Sequence, residues 1–78
     1  MAWNVVDGHH LERTFSFPDF ASGLAFVNAV GAIAEQHDHH PDVYLGWGKV
    51  RLEIRTHSRD AITERDHALA AAIDGIPR

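Results

Sequence analysis

Leu11, Phe15 and Phe17 alternate with Glu12, Thr14 and Ser16, the two-residue period of a strand with one buried face. Before them, Trp3, Val5 and Val6 lead into Asp7-Gly8, a pair that favours a tight hairpin turn. Residues 3–17 are therefore predicted to form a hairpin. Arg13 falls on the apolar face of its second strand, where it is expected at an edge or with its aliphatic stem along the surface.

Pro18-Asp19 then changes the period. Proline is tolerated in a first helical turn and a carboxylate is favoured there, so a helix is predicted over about residues 19–36. Between Phe20 and Ala34 only Ser22 and Asn28 are plainly polar, with Phe20, Leu24 and Val27 in one stripe and Phe26, Val30 and Ile33 in another. A helix apolar nearly all round must be buried nearly all round. One small sheet cannot cover it on every side, so the uncovered stripe is expected to pack against another subunit, giving a homo-oligomer, dimer or tetramer, through this helix. Gly23 and Gly31 each cost roughly 1 kcal/mol relative to alanine in a helix. They are expected to let another backbone come close.

After Pro41, Val43, Leu45 and Trp47 alternate with Asp42, Tyr44 and Gly46, predicting a third strand, and Gly48-Lys49 makes a turn. Val50, Leu52, Ile54 and Thr56 then alternate with Arg51, Glu53, Arg55 and His57, the cleanest two-period run in the chain and a fourth strand. Residues 58–62 read as a loop. Thr63-Glu64-Arg65-Asp66 has the form of a capping box, opening a second helix over about residues 64–74 that buries Leu69, Ala70 and Ile73 and stops at Gly75 and Pro77. The order predicts a single α+β domain over residues 1–78: a two-layer ββαββα arrangement, its four-stranded antiparallel sheet carrying both helices on one face.

At 78 residues such a domain sits near the size where one core is only marginally sufficient. Without cysteine, no disulfide or thiolate metal site can help, which leaves oligomerisation or a bound ligand. The net charge is −4 and the seven Lys and Arg are scattered, which argues against nucleic acid as a partner. No segment is long and apolar enough to span a bilayer, and the start lacks the pattern of a signal peptide. A cytoplasmic protein without membrane contact is expected.

The acid–base chemistry concentrates in Glu35-Gln36-His37-Asp38-His39-His40-Pro41, where the apolar helix ends. Pro41 biases His40 out of helical torsions, so His39 and His40 can point different ways around a small ligand. Imidazole is the side chain whose ordinary pKa lies nearest neutrality, which suits proton transfer. His57, by its parity, faces away from Val50, Leu52 and Ile54. Two other readings stay open beside this one. Histidines at a helix C-terminus are favoured by the dipole and need do nothing more. His37, His39, His40 and His57 could also ligate zinc, although their spacing matches no zinc signature such as His-Glu-x-x-His; no metal is expected.

Glu35, four residues before His39, is disfavoured by the dipole unless it orients an imidazole. Asp66 is explained by capping alone as well as by a site role, and Trp3 by the core as well as by stacking on a flat heterocycle. His9, His10 and His67 read as surface residues.

Taken together, Trp3-Asn4, Phe15-x-Phe17-x-Asp19-Phe20, Glu35-x-x-x-His39-His40-Pro41, Gly48-Lys49-Val50, Thr56-His57 and Thr63-Glu64-Arg65-Asp66 with Leu69-Ala70 resemble the pterin-4a-carbinolamine dehydratases, a family also known as dimerisation cofactors of a homeodomain transcription factor. The resemblance implies dehydration of 4a-hydroxytetrahydropterin to quinonoid dihydropterin and water, in tetrahydropterin recycling after an aromatic amino acid hydroxylase, with no metal or redox cofactor. It further implies that His39, His40 and His57 line the pterin pocket, with Glu35 and Asp66 supporting or binding and Trp3 closing one side. His39 and His57 are expected to exchange protons while His40 holds substrate, and the roles of the adjacent pair can be reversed. Members are commonly tetramers, and usually carry a further helix before the tryptophan, which the stretch Met1-Ala2-Trp3 lacks. A non-catalytic oligomeric adaptor or assembly factor on the same fold is the alternative.

Overall fold

The computed structural model describes residues 2–78. Its elements follow in the order β1 (Asn4–Val6), β2 (His10–Ser16), α1 (Phe20–His37), β3 (Asp42–Gly46), β4 (Lys49–Ile54) and α2 (Glu64–Asp74). All strand pairs are antiparallel, in the spatial order β1-β2-β4-β3. The two hairpins are thus joined along β2 and β4, with Leu11 opposite Ile54 and Phe15 opposite Val50. This is the ββαββα arrangement that the periodicity predicts.

Local chemistry explains the ends of each element. Asp7 and Gly8 both have positive φ, 54° and 63°, the torsions that mirror-image hairpin turns require and that Asp and Gly tolerate best. Asp19 caps α1 by accepting the Ser22 amide at 2.8 Å, and that bond holds its carboxyl below the usual carboxylate range. At the other end of α1, Asp38 is left-handed (φ 48°) and the His39 amide reaches back to the Ala34 carbonyl at 3.1 Å, a helix stop of Schellman type. α2 carries a complete capping box, with Thr63 and Asp66 bonding reciprocally to each other's backbone.

One face of the sheet is apolar and both helices lie on it. Leu11, Phe15, Val50, Leu52 and Ile54 form one cluster with Phe26 and Val30 of α1 and Leu69, Ala70 and Ile73 of α2. Only one side of α1 is used, Gly23, Phe26, Val30 and Ala34 being buried, whereas Phe20 and Leu24 remain 44% and 42% exposed. Gly23 serves packing differently from the expectation. What approaches it is side chain, since a Cβ there would meet Leu45 Cδ1 at 3.2 Å and Val50 Cγ2 at 3.5 Å, and Gly31 has nothing within 4 Å.

Two further expectations, on the ends of β3 and β4, are corrected. β3 ends at Gly46 and Trp47 lies in the turn, 74% exposed; with Gly48 at φ 76° the turn centres one residue earlier than expected. β4 ends at Ile54, and Thr56 instead forms an isolated bridge with Ala61. Arg13 spreads over the Phe15 ring, 4.4 Å from its centroid, and donates to Asp74 at 2.5 Å.

Leu52 has no exposed surface, so Leu52→Ala should lower stability by about 2–5 kcal/mol, read as an earlier urea midpoint. Trp47→Ser, at the exposed turn, should move it by less than about 0.5 kcal/mol.

Candidate active site

The Schellman turn at Asp38 sends two adjacent histidines to different partners. His39 turns inward, leaving 6% of its surface exposed, and its Nε2 lies 2.5 Å from Asp66 Oδ1. His40 stays outside and pairs through Nε2 with Glu35 on the last turn of α1. Each histidine therefore has a carboxylate, but Glu35 serves His40, where the spacing suggested His39.

Asp66 has no exposed surface. Its Oδ2 accepts from the Thr63 amide at 2.7 Å and from the Thr56 hydroxyl at 2.9 Å. Burial alone would push this carboxyl up, but the hydrogen bonds from His39, the Thr63 amide and Thr56, with the charge attraction of His39, outweigh it and hold Asp66 below its ordinary value of 3.8. Capping, which the sequence offered for Asp66 beside a site role, and the holding of His39 are thus done by one carboxylate with an oxygen for each. An ionised Asp66 only accepts, so His39 keeps its proton on Nε2, and Nδ1 is the ring nitrogen left for exchange.

His57 reaches the same place from the other side. It is exposed on the loop that the Thr56–Ala61 bridge closes, and Asp60 of that loop is tied to His9 at 2.8 Å and lies 3.2 Å from Arg55. His39, His40 and His57 together border one cleft of about 210 Å³, with Asp38, Ser58 and Arg65 on its rim. A second hollow of about 460 Å³ adjoins the cleft and shares Thr56, Ser58 and Arg65 with it. Arg65 donates to the Asp38 carbonyl at 2.7 Å and so fastens the start of α2 to the end of α1.

Not every predicted residue arrives. Trp3 is 3% exposed, edge-on to Phe15, and donates its indole N–H to Asp74 at 2.9 Å. Asp74 ends α2 and Asp66 lies in its first turn, so roughly 12 Å of helix separates Trp3's anchor from the cleft. Within this chain Trp3 is a core residue, because its indole N–H finds a partner there. Nor do His37, His39, His40 and His57 form a ligand cluster. Among the described residues the group whose ligand atoms lie within 4.8 Å of one another is His10, Glu12 and Glu53 on the outer sheet face, where Arg51 already stands 3.3 Å from Glu53 and 3.7 Å from Glu12.

Thr56 and Arg65 are the site residues that sequence reasoning missed. Thr56 did leave a signal, being a polar residue in phase with Val50, Leu52 and Ile54 and therefore buried with a hydroxyl to satisfy.

A family profile described as pterin 4 alpha carbinolamine dehydratase matches residues 1–76. The chain belongs to this family. Proteins of Rubrobacter xylanophilus and Alkaliphilus metalliredigens, both provisionally named pterin-4-alpha-carbinolamine dehydratase, are 49% and 44% identical over 72 residues. Those alignments take in 92% of this chain and 67% and 65% of the relatives, so the chain spans about two thirds of their length. The crystal structure of a transcriptional coactivator/pterin dehydratase from Brucella melitensis superposes with a TM-score of 0.86 at 32% identity, covering 94% of this chain and 79% of that one. A pterin dehydratase-like protein identified as a RuBisCO assembly factor in the alpha-carboxysome superposes with 0.79 at 25% identity, over 95% and 87%. The dehydratase family therefore accounts for the sheet-and-helix architecture.

The lowered carboxyl of Asp66 makes a prediction about acid stability. As pH falls, the unfolded chain protonates this group first. Its contribution is therefore complete above 3.8 and is lost as pH drops through the lower folded value. Asp66→Asn should flatten that part of the urea-midpoint profile; a profile as steep as wild type below about pH 4 would assign the acid limb to other carboxylates.

Proposed function

We propose that this chain dehydrates a 4a-hydroxytetrahydropterin to quinonoid dihydropterin and water by histidine general acid–base catalysis. The observation that carries the reading is the meeting of His39, His40 and His57 around one cleft, with His39 held by a buried, ionised carboxylate. Membership of the dehydratase family supplies the substrate class.

The reaction breaks the C4a–O bond with a proton delivered to the departing hydroxyl, while a ring N–H proton is removed and its electrons form the C=N bond. Two proton transfers suffice, and each wants a group that titrates near neutrality. His39 is suited to take the ring proton on Nδ1, because Asp66 fixes the tautomer and stabilises the imidazolium as it forms, the division of labour known from carboxylate–histidine pairs in hydrolases. His57, exposed on the opposite wall, delivers the proton to the leaving hydroxyl. His40, braced by Glu35, holds the ring. Asp66 acts through His39 and never reaches substrate. The cleft falls below the roughly 300–1,000 Å³ of ordinary small-molecule sites, but the hollow beside it offers a substituent on the bicyclic ring room to extend.

The reading extends to assembly and context. The bare Phe20 and Leu24 on α1 support a homo-oligomer formed through that helix. Among the described residues no helix is long and apolar enough to cross a membrane; we take the chain to work in the cytoplasm beside an aromatic amino acid hydroxylase. A second reading, a non-catalytic adaptor, is favoured by exposed Val43, Tyr44 and Trp47 on and beside the edge strand β3, and a structural neighbour is identified as an assembly factor.

Freshly generated 4a-carbinolamine, followed by ultraviolet absorbance, should decay faster with the protein than in buffer. An unchanged decay favours the adaptor. Replacing both His39 and His57 by alanine should cut the rate by about 10²–10⁴-fold, and a double variant with full activity would reassign the site. In sedimentation, the wild type should run heavier than 8.7 kDa at micromolar concentration, and Leu24→Glu should return it to a monomer.

A further inference from the structure

The Thr56 hydroxyl is 4% exposed as part of its residue and stands between two oxygens, Asp66 Oδ2 at 2.9 Å and Thr63 Oγ1 at 2.6 Å. The direction of both bonds is forced. Threonine has one hydroxyl proton, and an ionised carboxylate can only accept, so Thr56 donates to Asp66 and must accept from Thr63. Thr63 in turn accepts the Arg65 amide at 3.3 Å as the cap of α2. A single string of donors therefore runs from the first turn of α2 through two hydroxyls to the carboxylate, and from its other oxygen to His39. All of its dipoles point towards Asp66, which lets the charge stay buried.

The backbone of the same residue performs a separate task. Its N–H donates to the Ala61 carbonyl at 2.9 Å, and its carbonyl accepts from Arg59 at 3.1 Å and Ala61 at 3.4 Å. These bonds close the loop on which His57 stands. Thr56 thus bonds the carboxylate behind His39 with its side chain and closes the His57 loop with its backbone.

We propose that Thr56 is a positioning residue that sets His39 and His57 relative to one another: its hydroxyl locks the Asp66 rotamer that fixes the His39 tautomer, and its backbone anchors the His57 loop. Thr56 borders the cleft, but its hydroxyl is committed to Asp66 and Thr63. The lowered pKa of Asp66, to which the Thr56 bond contributes, agrees with this arrangement. For its kinetic consequence the proposal rests on the dehydratase reading; for its structural consequence it does not.

Thr56→Val keeps the backbone and nearly the volume and removes only the hydroxyl, whereas Thr56→Ser keeps the hydroxyl. In Thr56→Val the Asp66 carboxyl carbon, followed by NMR, should titrate at higher pH than in wild type, because the charged form has lost a donor. The His39 ring nitrogens should show the Nδ1–H form appearing beside Nε2–H. On the carbinolamine, kcat should fall roughly 10–100-fold, the usual effect of removing a group that orients a working histidine, with KM changing much less. Thr56→Ser should restore all three. If Thr56→Val does not fold, Thr56→Ser carries the test, since it must match wild type in both NMR readouts. An unshifted Asp66 titration with an unchanged His39 tautomer in Thr56→Val, or a serine variant as impaired as valine, overturns the proposal. A wild-type chain inactive towards the carbinolamine would instead remove the dehydratase reading and leave both NMR outcomes to decide the role of Thr56.

Discussion

An ionised carboxylate taken out of water costs several kcal/mol unless donors replace its hydration, and Asp66 is fully buried. Its donors arrive from three separate parts of the chain: the Thr63 amide at the cap of α2, the Thr56 hydroxyl just beyond β4, and His39 just beyond α1. None of these segments can satisfy the charge alone. The carboxylate is consequently tolerable only when both helices and the central strand have closed on one another, and closure is also what brings His39 to the cleft. An apolar side chain could fill the same space at no electrostatic cost. Stability is therefore a poor reason for the charge, and holding an imidazole in one tautomer is a better one.

The end of α1 shows how one backbone torsion divides two identical side chains. Asp38 adopts a left-handed conformation, which ordinary residues avoid and Asp accepts at modest cost. The chain reverses there, so that His39 points into the core and His40 into solvent, against Asp66 and Glu35 respectively. Arg65 reaches across from α2 to the Asp38 carbonyl, satisfying a group that a helix end leaves open. Two histidines with the same chemistry thus acquire different surroundings.

Much of this was legible in the sequence, and for identifiable reasons. The run from Val50 to Thr56 has a strict period of two, and Thr63 to Asp66 a capping pattern, so strands, helices and their order followed from periodicity and caps. What the sequence could not carry is partnership across the fold. Glu35 looks like the companion of His39 by local spacing, yet the left-handed turn delivers it to His40, and a residue 27 positions away takes its place. Trp3 lies within reach of the site only if one ignores that its N–H finds Asp74 at the far end of α2. The capping box was read correctly but incompletely, because a carboxylate has two oxygens and the pattern accounts for one.

α1 bears two demands at once, and they explain why so small a chain carries so apolar a helix. Its buried side supplies Phe26, Val30 and Ala34, three of the twelve buried apolar residues among those described, while its last turn sets the position of His39. A helix end frays readily, and every opening of that turn withdraws the imidazole from Asp66 and leaves a buried carboxylate short of a donor. Anything that covers Phe20 and Leu24 holds the whole helix down. Subunit assembly through that face would then stabilise the catalytic geometry together with the fold, since both depend on the same eighteen residues staying helical. Such assembly would make the exposed stripe part of the site's support, although it lies at the other end of the helix from the histidines.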